Sequence, residues 1–288
     1  MSIQFEPFNE FFQVPGRLNQ IAVGYVYDST AGNAVWGLVN SLIYRFNFAS
    51  KVFEPVPGRL TSISVRDYNA VWGLNGSDIY RWNYSSNVFE PIPGQLTSIA
   101  ALDASGNNVW GLNGTNIFRF DPSSNGFKLV PGQLTSIFVG GGNPDTSPAQ
   151  VWGLNGSEIF RFDENSDHFV QVPGRLLSLS VGYSEVWGLV NSLIYKFNFT
   201  SNAFEPVPGR LTSISVVDRS NVWGLNSTNI FWFDPGSNNF VQVPGQLTSI
   251  SVGLSNDSTG SVVNDEVWGV NANGDIFRYV TRSHPFVR

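Results

Sequence analysis

Short stretches in which apolar and polar side chains alternate recur along the whole chain, and no stretch shows helical periodicity. The segment 57–93 contains four of them, rich in β-branched and aromatic residues: LTSISV at 60–65, AVWGLN at 70–75, IYRWN at 79–83 and NVFEPIP at 87–93. This period-two pattern predicts four short strands. Asn75 and Gly76 accept positive φ, so the second and third strands should form a tight hairpin. The prolines of the fourth strand predict that it lies on a sheet edge, because proline cannot donate to a ladder.

The same unit recurs through the chain. VWG occurs seven times, 35 to 45 residues apart, with its tryptophans at Trp36, Trp72, Trp110, Trp152, Trp187, Trp223 and Trp268. PG[RQ]L precedes each copy, and an Ile-aromatic pair follows it. Four short antiparallel strands in a repeat of this length are typical of a propeller blade. The chain is therefore predicted to be all-β: a single domain, residues 1–288, forming a seven-bladed β-propeller of four-stranded antiparallel blades.

The chain ends suggest how this ring closes. FFQVPG at 11–16 resembles the fourth strand of later repeats, such as FVQVPG at 240–245, yet it precedes the first complete repeat. We expect N- and C-terminal segments to pair, with residues 11–14 as the outer strand of the seventh blade. Residues 286–288 compete for the same place. Closure removes the exposed sheet edges that an open solenoid would have.

Segments of unequal length separate the first and second strands of the repeats. GYVYDSTAGN at 24–33, GGGNPDTSP at 140–148 and GLSNDSTGSVVND at 253–265 are long, whereas GYSE at 182–185 is short. Their length variation and turn-forming residues predict loops.

Composition narrows the function classes. A net charge of −6 with 13% charged residues disfavours nucleic acid as a partner. No apolar run approaches the roughly 20 residues of a membrane span, so no membrane insertion is expected. The N-terminal residues do not resemble a signal peptide, which predicts a cytoplasmic protein or one released by a leaderless route. The absence of cysteine excludes disulfides and thiolate chemistry.

Polar residues repeat at one end of the predicted blades, where the core does not require them. The candidate ligand-binding residues at the turn between the second and third strands are Asn75 with Asp78, Asn113 with Asn116, Asn155 with Glu158, Asn226 with Asn229, and Asn271 with Asp275. From the third strand we add Arg81, Arg119, Arg161, Trp232 and Arg278. The residues at the entrance to each blade are Arg17, Arg59, Gln95, Gln133, Arg175, Arg210 and Gln246.

The first and fifth repeats differ from the others at this turn. Residues 35–65 and 186–216 differ at four positions only, and both copies carry Val and Leu where the other repeats carry polar pairs. Val39 with Leu42, and Val190 with Leu193, predict weak or absent sites there. About five competent sites remain.

Amide, carboxylate and guanidinium groups beside an aromatic plane suit a carbohydrate, whose hydroxyls need both donors and acceptors. Three structural alternatives stay open. The tryptophans are spacers between blades if they are buried, the Asn-Gly turns are simple hairpin turns, and the strand-three cations pair with carboxylates.

Catalysis and cofactor binding have little support in the sequence. The two histidines, His168 and His284, do not recur at a fixed place in the repeat, which argues against a repeated metal site or a histidine-based triad. Residues 121–125 and 163–167 lack the glycine and final glutamate of a calcium loop, so we interpret them as turns. Asp78, Glu158 and Asp275 belong to different repeats, which disfavours a hydrolase. We expect no enzyme activity, no cofactor and no metal.

The ordered motifs VPGRLTSISV, VWGLN and IYRF resemble the repeat of the tectonin family throughout residues 11–288. The family's tryptophan before VPG is phenylalanine here, as at Phe53, Phe89 and Phe204, and its VWGVN is mostly VWGLN. The resemblance implies a β-propeller and, for many relatives, a lectin that recognises surface glycans or lipopolysaccharide in innate defence. Some fungal relatives bind O-methylated sugars.

These observations lead us to expect a multivalent lectin for surface glycans, O-methylated or microbial, with a role in defence. The alternative is a protein-interaction scaffold that binds no sugar. The identity of the sugar and the assembly state, monomer or homo-oligomer, stay open at this point.

Overall fold

The computed structural model describes residues 10–27, 34–102, 108–143, 147–256 and 262–280, and these contain strands and turns but no helix, hence none that could cross a membrane. We name the seven sheets blades A to G. The strands of the first three blades are, in A, β2 (Gln20–Val23), β4 (Val35–Val39), β5 (Leu42–Asn47) and β6 (Val52–Arg59); in B, β7 (Ser62–Val65), β8 (Val71–Asn75), β9 (Asp78–Asn83) and β10 (Val88–Gln95); and in C, β11 (Ser98–Ala101), β12 (Val109–Asn113), β13 (Asn116–Asp121) and β14 (Gly126–Gln133). The next three blades contain, in D, β15 (Ser136–Asn143), β16 (Ser147–Asn155), β17 (Glu158–Asp163) and β18 (His168–Arg175); in E, β19 (Ser178–Val181), β20 (Val186–Val190), β21 (Leu193–Asn198) and β22 (Ala203–Arg210); and in F, β23 (Ser213–Val216), β24 (Val222–Asn226), β25 (Asn229–Asp234) and β26 (Asn239–Gln246). Blade G consists of β27 (Ser249–Asn256), β28 (Val262–Val270), β29 (Asp275–Val280) and β1 (Glu10–Arg17), with β3 (Tyr25–Tyr27) added parallel to β27.

The seven blades and their antiparallel order confirm the predicted propeller. Each blade runs from a first strand beside the central axis to a fourth strand at the outer edge. The prolines of the fourth strands are accommodated at this edge, as expected. The fourth strand is longer than predicted and continues through PG to Gln95 in blade B, with a register shift between Ile92 and Gln95 and a φ of 120° at Gly94.

Blade G closes the ring with strand β1. Glu10 to Val14 pair in antiparallel register with Val280 to Ile276 of β29, which confirms the prediction for residues 11–14. The competing segment 286–288 lies outside the described residues. The outer strand of the last blade therefore comes from the beginning of the chain, so the fold joins its first and last described strands by backbone hydrogen bonds.

Three of the predicted loops are partly strands. In blade D, β15 and β16 continue their pairing as far as Asn143 and Ser147, and in blade G, β27 and β28 pair as far as Asn256 and Val262. The loop prediction for these parts of 140–148 and 253–265 was wrong. Turn-forming residues suggested an end to the strands, but two antiparallel segments that leave a blade together can continue their hydrogen bonding. In 24–33, residues 25–27 are also a strand, and residues 28–33 lie outside the described residues.

Each VWG tryptophan packs between two blades and is at most 2% exposed. Trp110 of blade C contacts Phe162 and Phe169 of blade D, with ring centroids 4.7 Å and 5.8 Å apart. The same edge-on arrangement recurs around the ring: Trp36 with Trp82 and Phe89, Trp72 with Phe120 and Phe127, Trp152 with Phe197 and Phe204, Trp187 with Phe233 and Phe240, Trp223 with Tyr279 and Phe11, and Trp268 with Phe46 and Phe53. The tryptophans are therefore spacers between blades rather than exposed ligand platforms.

The glycine of VWG makes room for the leucine of the preceding PG[RQ]L link. A Cβ on Gly73 would lie 2.5 Å from Cδ1 of Leu60 and 2.8 Å from the carbonyl oxygen of Ser62. Leu60 is fully buried, and its N–H donates to the carbonyl of Ser41 in the preceding blade. Leucine and glycine recur together because the leucine of each link occupies the space that a side chain at the glycine would need.

Candidate functional site

The turns between second and third strands all lie at one end of the ring, which we call the top face. In blade B, Asn75 stands opposite Asp78 in the hairpin, and Asp78 stands opposite Gln95 of the fourth strand. An amide, a carboxylate and a second amide thus lie side by side across three strands. Asp78 and Gln95 are exposed and Asn75 is half-buried.

Four other blades bring equivalent groups together. These groups of three are Asn113, Asn116 and Gln133 in blade C, Asn155, Glu158 and Arg175 in D, Asn226, Asn229 and Gln246 in F, and Asn271, Asp275 and Arg17 in G. The sequence predicted the two turn residues as a site and noted the entrance residue only as a repeated position. The register of the fourth strand adds that residue to the turn of its own blade. The spacing between the Ile-aromatic pair and PG[RQ]L is constant, so it predicts which entrance residue stands opposite the turn once the pairing of the strands is known.

The turn backbone is set by residues that tolerate positive φ. In blade B, Gly76 has a φ of 61°, and its N–H donates to Oγ1 of Thr61 in the entering link. The same hydroxyl donates to the carbonyl of Leu74, so one threonine ties the link to the hairpin. Hairpin chemistry therefore explains Gly76, whereas the flanking side chains of Asn75 and Asp78 are not required for it.

Blades A and E present an apolar residue at the same place. Leu42 and Leu193 are each 41% exposed, and they stand opposite Arg59 and Arg210. Asn40 and Ser41 of blade A both have positive φ, as a type I′ turn requires. A two-residue turn is retained in blades A and E, with positive φ at both residues rather than at Gly76 alone as in blade B, while the polar pair is lost.

Two blades already use part of their polar group internally. In blade G, the amide nitrogen of Asn271 donates to Asp275 at 3.1 Å, and Nε of Arg17 lies 3.7 Å from the same carboxylate. In blade D, Arg175 donates to Oγ of Ser157 at 2.9 Å. Blades B, C and F therefore offer the most accessible groups.

The strand-three cations lie away from the turns. Arg81 is three residues beyond Asp78 and pairs in register with Trp72, on the surface that faces the next blade. Its guanidinium lies 5.5 Å from the centroid of that tryptophan. The corresponding pairs are Arg45 with Trp36, Arg119 with Trp110, Arg161 with Trp152, Lys196 with Trp187 and Arg278 with Trp268. In blade F the position holds Trp232, whose indole nitrogen donates to the carbonyl of Ser220 at 3.0 Å.

Within the described ranges, three of these cations pair with carboxylates in the clefts between blades. Glu266 accepts from Nε and Nη2 of Arg278 at 3.1 Å and 2.6 Å, and also from the indole nitrogen of Trp268 at 2.9 Å. Glu185 does the same for Lys196 and Trp187, and Glu164 pairs with Arg119 of the preceding blade at 3.2 Å. The structure therefore brings together the turn residues and separates the predicted cations from them.

The bottom face carries the loops between third and fourth strands, where the predicted turns at 121–125 and 163–167 are found. The hydroxyl of Ser166 donates to Asp163 at 2.9 Å and lowers the pKa of that carboxyl, as Ser237 does for Asp234. Nζ of Lys128 lies 2.5 Å from the carboxylate of Asp121. This contact, together with hydrogen bonds from Ser123 and Ser124, lowers the pKa of Asp121. These carboxylates bind their own turns. Among the described residues, no group of three or more histidine, cysteine or carboxylate side chains could hold a metal.

The central axis contains a small cavity of about 120 Å³ near the bottom ends of the first strands. Arg66 projects into it, donates to the hydroxyl of Tyr183 at 2.7 Å, and lies 4.6 Å from the centroid of that ring. Tyr25 stands edge-on to Tyr183, with ring centroids 6.4 Å apart. These three side chains all contribute to the lining of the cavity.

Seven sheets around one axis, six with four strands and blade G with β3 as a fifth, define a seven-bladed β-propeller. The chain belongs to the tectonin family, since the Tectonin domain matches it over residues 2–144 and again over 142–286. No curated protein matches the chain in sequence.

Solved structures share the fold at low sequence identity. YCF48 bound to D1 peptide is 16% identical, with a TM-score of 0.64 over 97% of this chain and 99% of its own. YCF48 from Cyanidioschyzon merolae is 14% identical, with a TM-score of 0.64 over 93% and 98%. The WD40 repeats of RRP9 are 8% identical, with a TM-score of 0.64 over 96% and 100%. At this level of identity the similarities show the propeller fold alone.

Proposed function

We propose that this propeller is a multivalent lectin that binds surface glycans at the polar turns of its top face. The observation that carries the proposal is the register that places an amide, a carboxylate or second amide, and a Gln or Arg side by side at the end of a blade. Asn113, Asn116 and Gln133 of blade C show it best, because all three are exposed. Such groups both donate and accept hydrogen bonds, as a sugar hydroxyl requires.

The repetition of these groups favours avidity over single-site affinity. Five blades carry a polar group of three on one rigid ring, so a surface with many copies of one glycan can engage several of them together. Weak individual sites then give strong attachment. O-methylated or microbial surface glycans and a role in defence follow from the family resemblance, and the rigid ring requires no catalytic group for this role. The protein is proposed to act without enzymatic activity.

A glycan array tests the proposal, with binding confirmed by inhibition with the free sugar. We expect saturable binding that the monosaccharide abolishes, and much stronger retention on dense than on sparse glycan surfaces. A folded ring that binds none of the glycans would contradict the lectin function. If the protein binds the sugar specifically but is retained equally at both densities, the proposed multivalency is contradicted and the lectin function is not.

A protein-interaction scaffold is the second candidate. Blade E presents Leu177 at 60% exposure and Leu193 at 41% exposure on the top face, where blades B, C, D, F and G carry polar groups. Exposed leucines of this kind suit a partner protein better than a sugar. One structure with the same fold is described as bound to a peptide. Loss of partner binding in a Leu177→Thr/Leu193→Asp variant, with glycan binding absent throughout, would favour the scaffold.

A further inference from the structure

Arg161, like Arg45, is a strand-three cation with no ion pair among the described residues, but it has Val170 rather than a carboxylate opposite it on the fourth strand. It lies in the cleft between blades D and E, half-buried, 5.6 Å from the centroid of Trp152 and 5.6 Å from that of Phe199. Among the residues that the structure describes, none forms a hydrogen bond or ion pair with its guanidinium. The two rings hold the guanidinium in place without neutralising its charge.

In three other clefts, a carboxylate reaches the equivalent strand-three cation from one of two positions in the sequence. Glu185 and Glu266 stand two residues before the tryptophan of their own blade and reach Lys196 and Arg278 from there. Glu164 instead reaches Arg119 from the third-to-fourth loop of the next blade. A third position, on the fourth strand directly opposite the cation, carries Glu54, Glu90 and Glu205, whose carboxylates accept from Asn47, Asn83 and Asn198 beside the cation.

The cleft between blades D and E has an uncharged residue at all three positions. Gln150 stands two residues before Trp152, Phe199 takes the place of Glu164 in the next blade, and Val170 stands across the fourth strand from Arg161. No carboxylate therefore stands at any of these three positions around Arg161.

Beside Arg161 lies a cavity of about 440 Å³, a size that suits a small ligand. Gln150, Phe162 and Asn202 contribute to its lining. Gln150 is only 7% exposed, and its Oε1 accepts from the indole nitrogen of Trp152 at 3.3 Å, which fixes the amide at the cavity wall.

Two acidic residues also border this cavity, but their carboxylates have partners. Asp163 accepts from Ser166 and Asn165 within its own turn, and Glu164 accepts from Arg119 across the neighbouring cleft. Neither forms an ion pair with Arg161. The cavity therefore combines the Arg161 cation, the buried Gln150 amide and apolar side chains with two carboxylates that already have other partners.

We propose that this cleft binds a small ligand through a carboxylate, of the size and chemistry of a uronic acid. The ligand carboxylate would take the place that Glu266 occupies beside Arg278, with bidentate bonds of about 2.7 to 2.9 Å to the guanidinium. The cleft opens among the bottom-face loops, on the side of the ring away from the polar turns. It is independent of the proposed top-face sugar sites.

Calorimetric titration of the whole protein with glucuronate tests this site, with glucose as the neutral comparison. We expect saturable binding of glucuronate, weakened by added salt, and no comparable binding of glucose. Arg161→Gln should weaken glucuronate binding about ten-fold or more, because charge-assisted hydrogen bonds are lost. Lys196→Gln is the matched control: it removes a cation that Glu185 already neutralises, so affinity should not change.

A second variant places a carboxylate of the protein itself beside Arg161. Phe199→Glu copies the arrangement of Glu164 and Arg119, so the new carboxylate should pair with Arg161 and abolish glucuronate binding in a protein whose circular dichroism and melting temperature are retained. Asn113→Ala/Asn116→Ala should leave glucuronate binding unchanged, which separates this site from the top-face sites. Lack of glucuronate binding, equal binding of glucose, or wild-type affinity in Arg161→Gln would overturn the proposal.

Discussion

Phe11, near the beginning of the chain, packs edge-on against Trp223, with ring centroids 6.1 Å apart and planes at 88°. Phe169 meets Trp110 in the same way within the continuous part of the ring, at 5.8 Å and 83°. The strand that closes the propeller therefore repeats the interblade contact of the other blades. Ring closure depends on side-chain packing between blades F and G as well as on the backbone pairing of β1 with β29.

Phe11→Ala should lower the free energy of unfolding by about 2 kcal/mol, somewhat below the range for a fully buried phenylalanine, since Phe11 is half-buried. Urea unfolding followed by tryptophan fluorescence measures the change. Phe169→Ala is the matched control and should cost a similar amount. If Phe169→Ala destabilises the protein and Phe11→Ala does not, β1 does not close the ring in solution.

Trp110→Ala should lower the free energy of unfolding by roughly 3 to 5 kcal/mol, because it removes a fully buried ring between blades C and D. Trp110→Phe should cost less, since part of the contact with Phe162 is kept. Denaturant unfolding gives both values. A stable Trp110→Ala protein that has lost glycan binding would instead make this tryptophan a ligand platform.

Asn113→Ala/Asn116→Ala should remove about one site of glycan binding and leave the melting temperature nearly unchanged, because both side chains are exposed. Binding stoichiometry with a soluble sugar identified on the array measures the loss. The converse variant, Val39→Asn/Leu42→Asn, copies the blade C pair onto blade A and should add a site. A large loss of stability in the alanine variant would show that the pair serves the turn itself.

Glu266→Ala should destabilise the protein by about 3 kcal/mol, since it leaves a largely buried Arg278 without its carboxylate and the Trp268 indole without its acceptor. Glu266→Gln should cost less, because an amide oxygen can still accept from the indole, as Gln150 does from Trp152. Thermal and urea unfolding of the two variants test this order. Equal losses would show that the charge of Glu266, rather than the indole bond, carries the effect.

Asp163 should contribute to stability only above acidic pH. Its pKa is lowered in the folded protein by the Ser166 hydroxyl and the backbone N–H of Asn165, so its contribution is complete above the unfolded pKa, about 3.9. The contribution is lost as pH falls through the folded pKa. NMR titration of Asp163 measures the folded value, which Ser166→Ala should raise toward the ordinary one. Ser237→Ala is the control, since it should raise the pKa of Asp234 and leave Asp163 unchanged.

The candidate site depends partly on strand register, which the sequence of the turn does not specify. Asn75 and Asp78 were recognised because they flank a turn, which is a local feature. Gln95 joins them only through the register of the fourth strand. Arg81 was grouped with the turn from its place in the repeat, but a strand rises about 3.3 Å per residue, and the next blade covers the surface on which Arg81 lies. Its contact with Trp72 follows from the register of two strands within blade B.

The sequence by itself determined the blades, their number and their order, because alternation, hairpin residues and a period of 35 to 45 residues are local properties of the chain. It also indicated the closing strand, since residues 11–16 repeat the pattern of a fourth strand. Only the tertiary structure decided which clefts contain a carboxylate. Glu164 and Arg119 belong to different repeats, and Arg161 has no such partner because Phe199, from the next blade, stands in that place. Contacts between blades depend on the packing of one sheet against the next, which no pattern within a single repeat specifies.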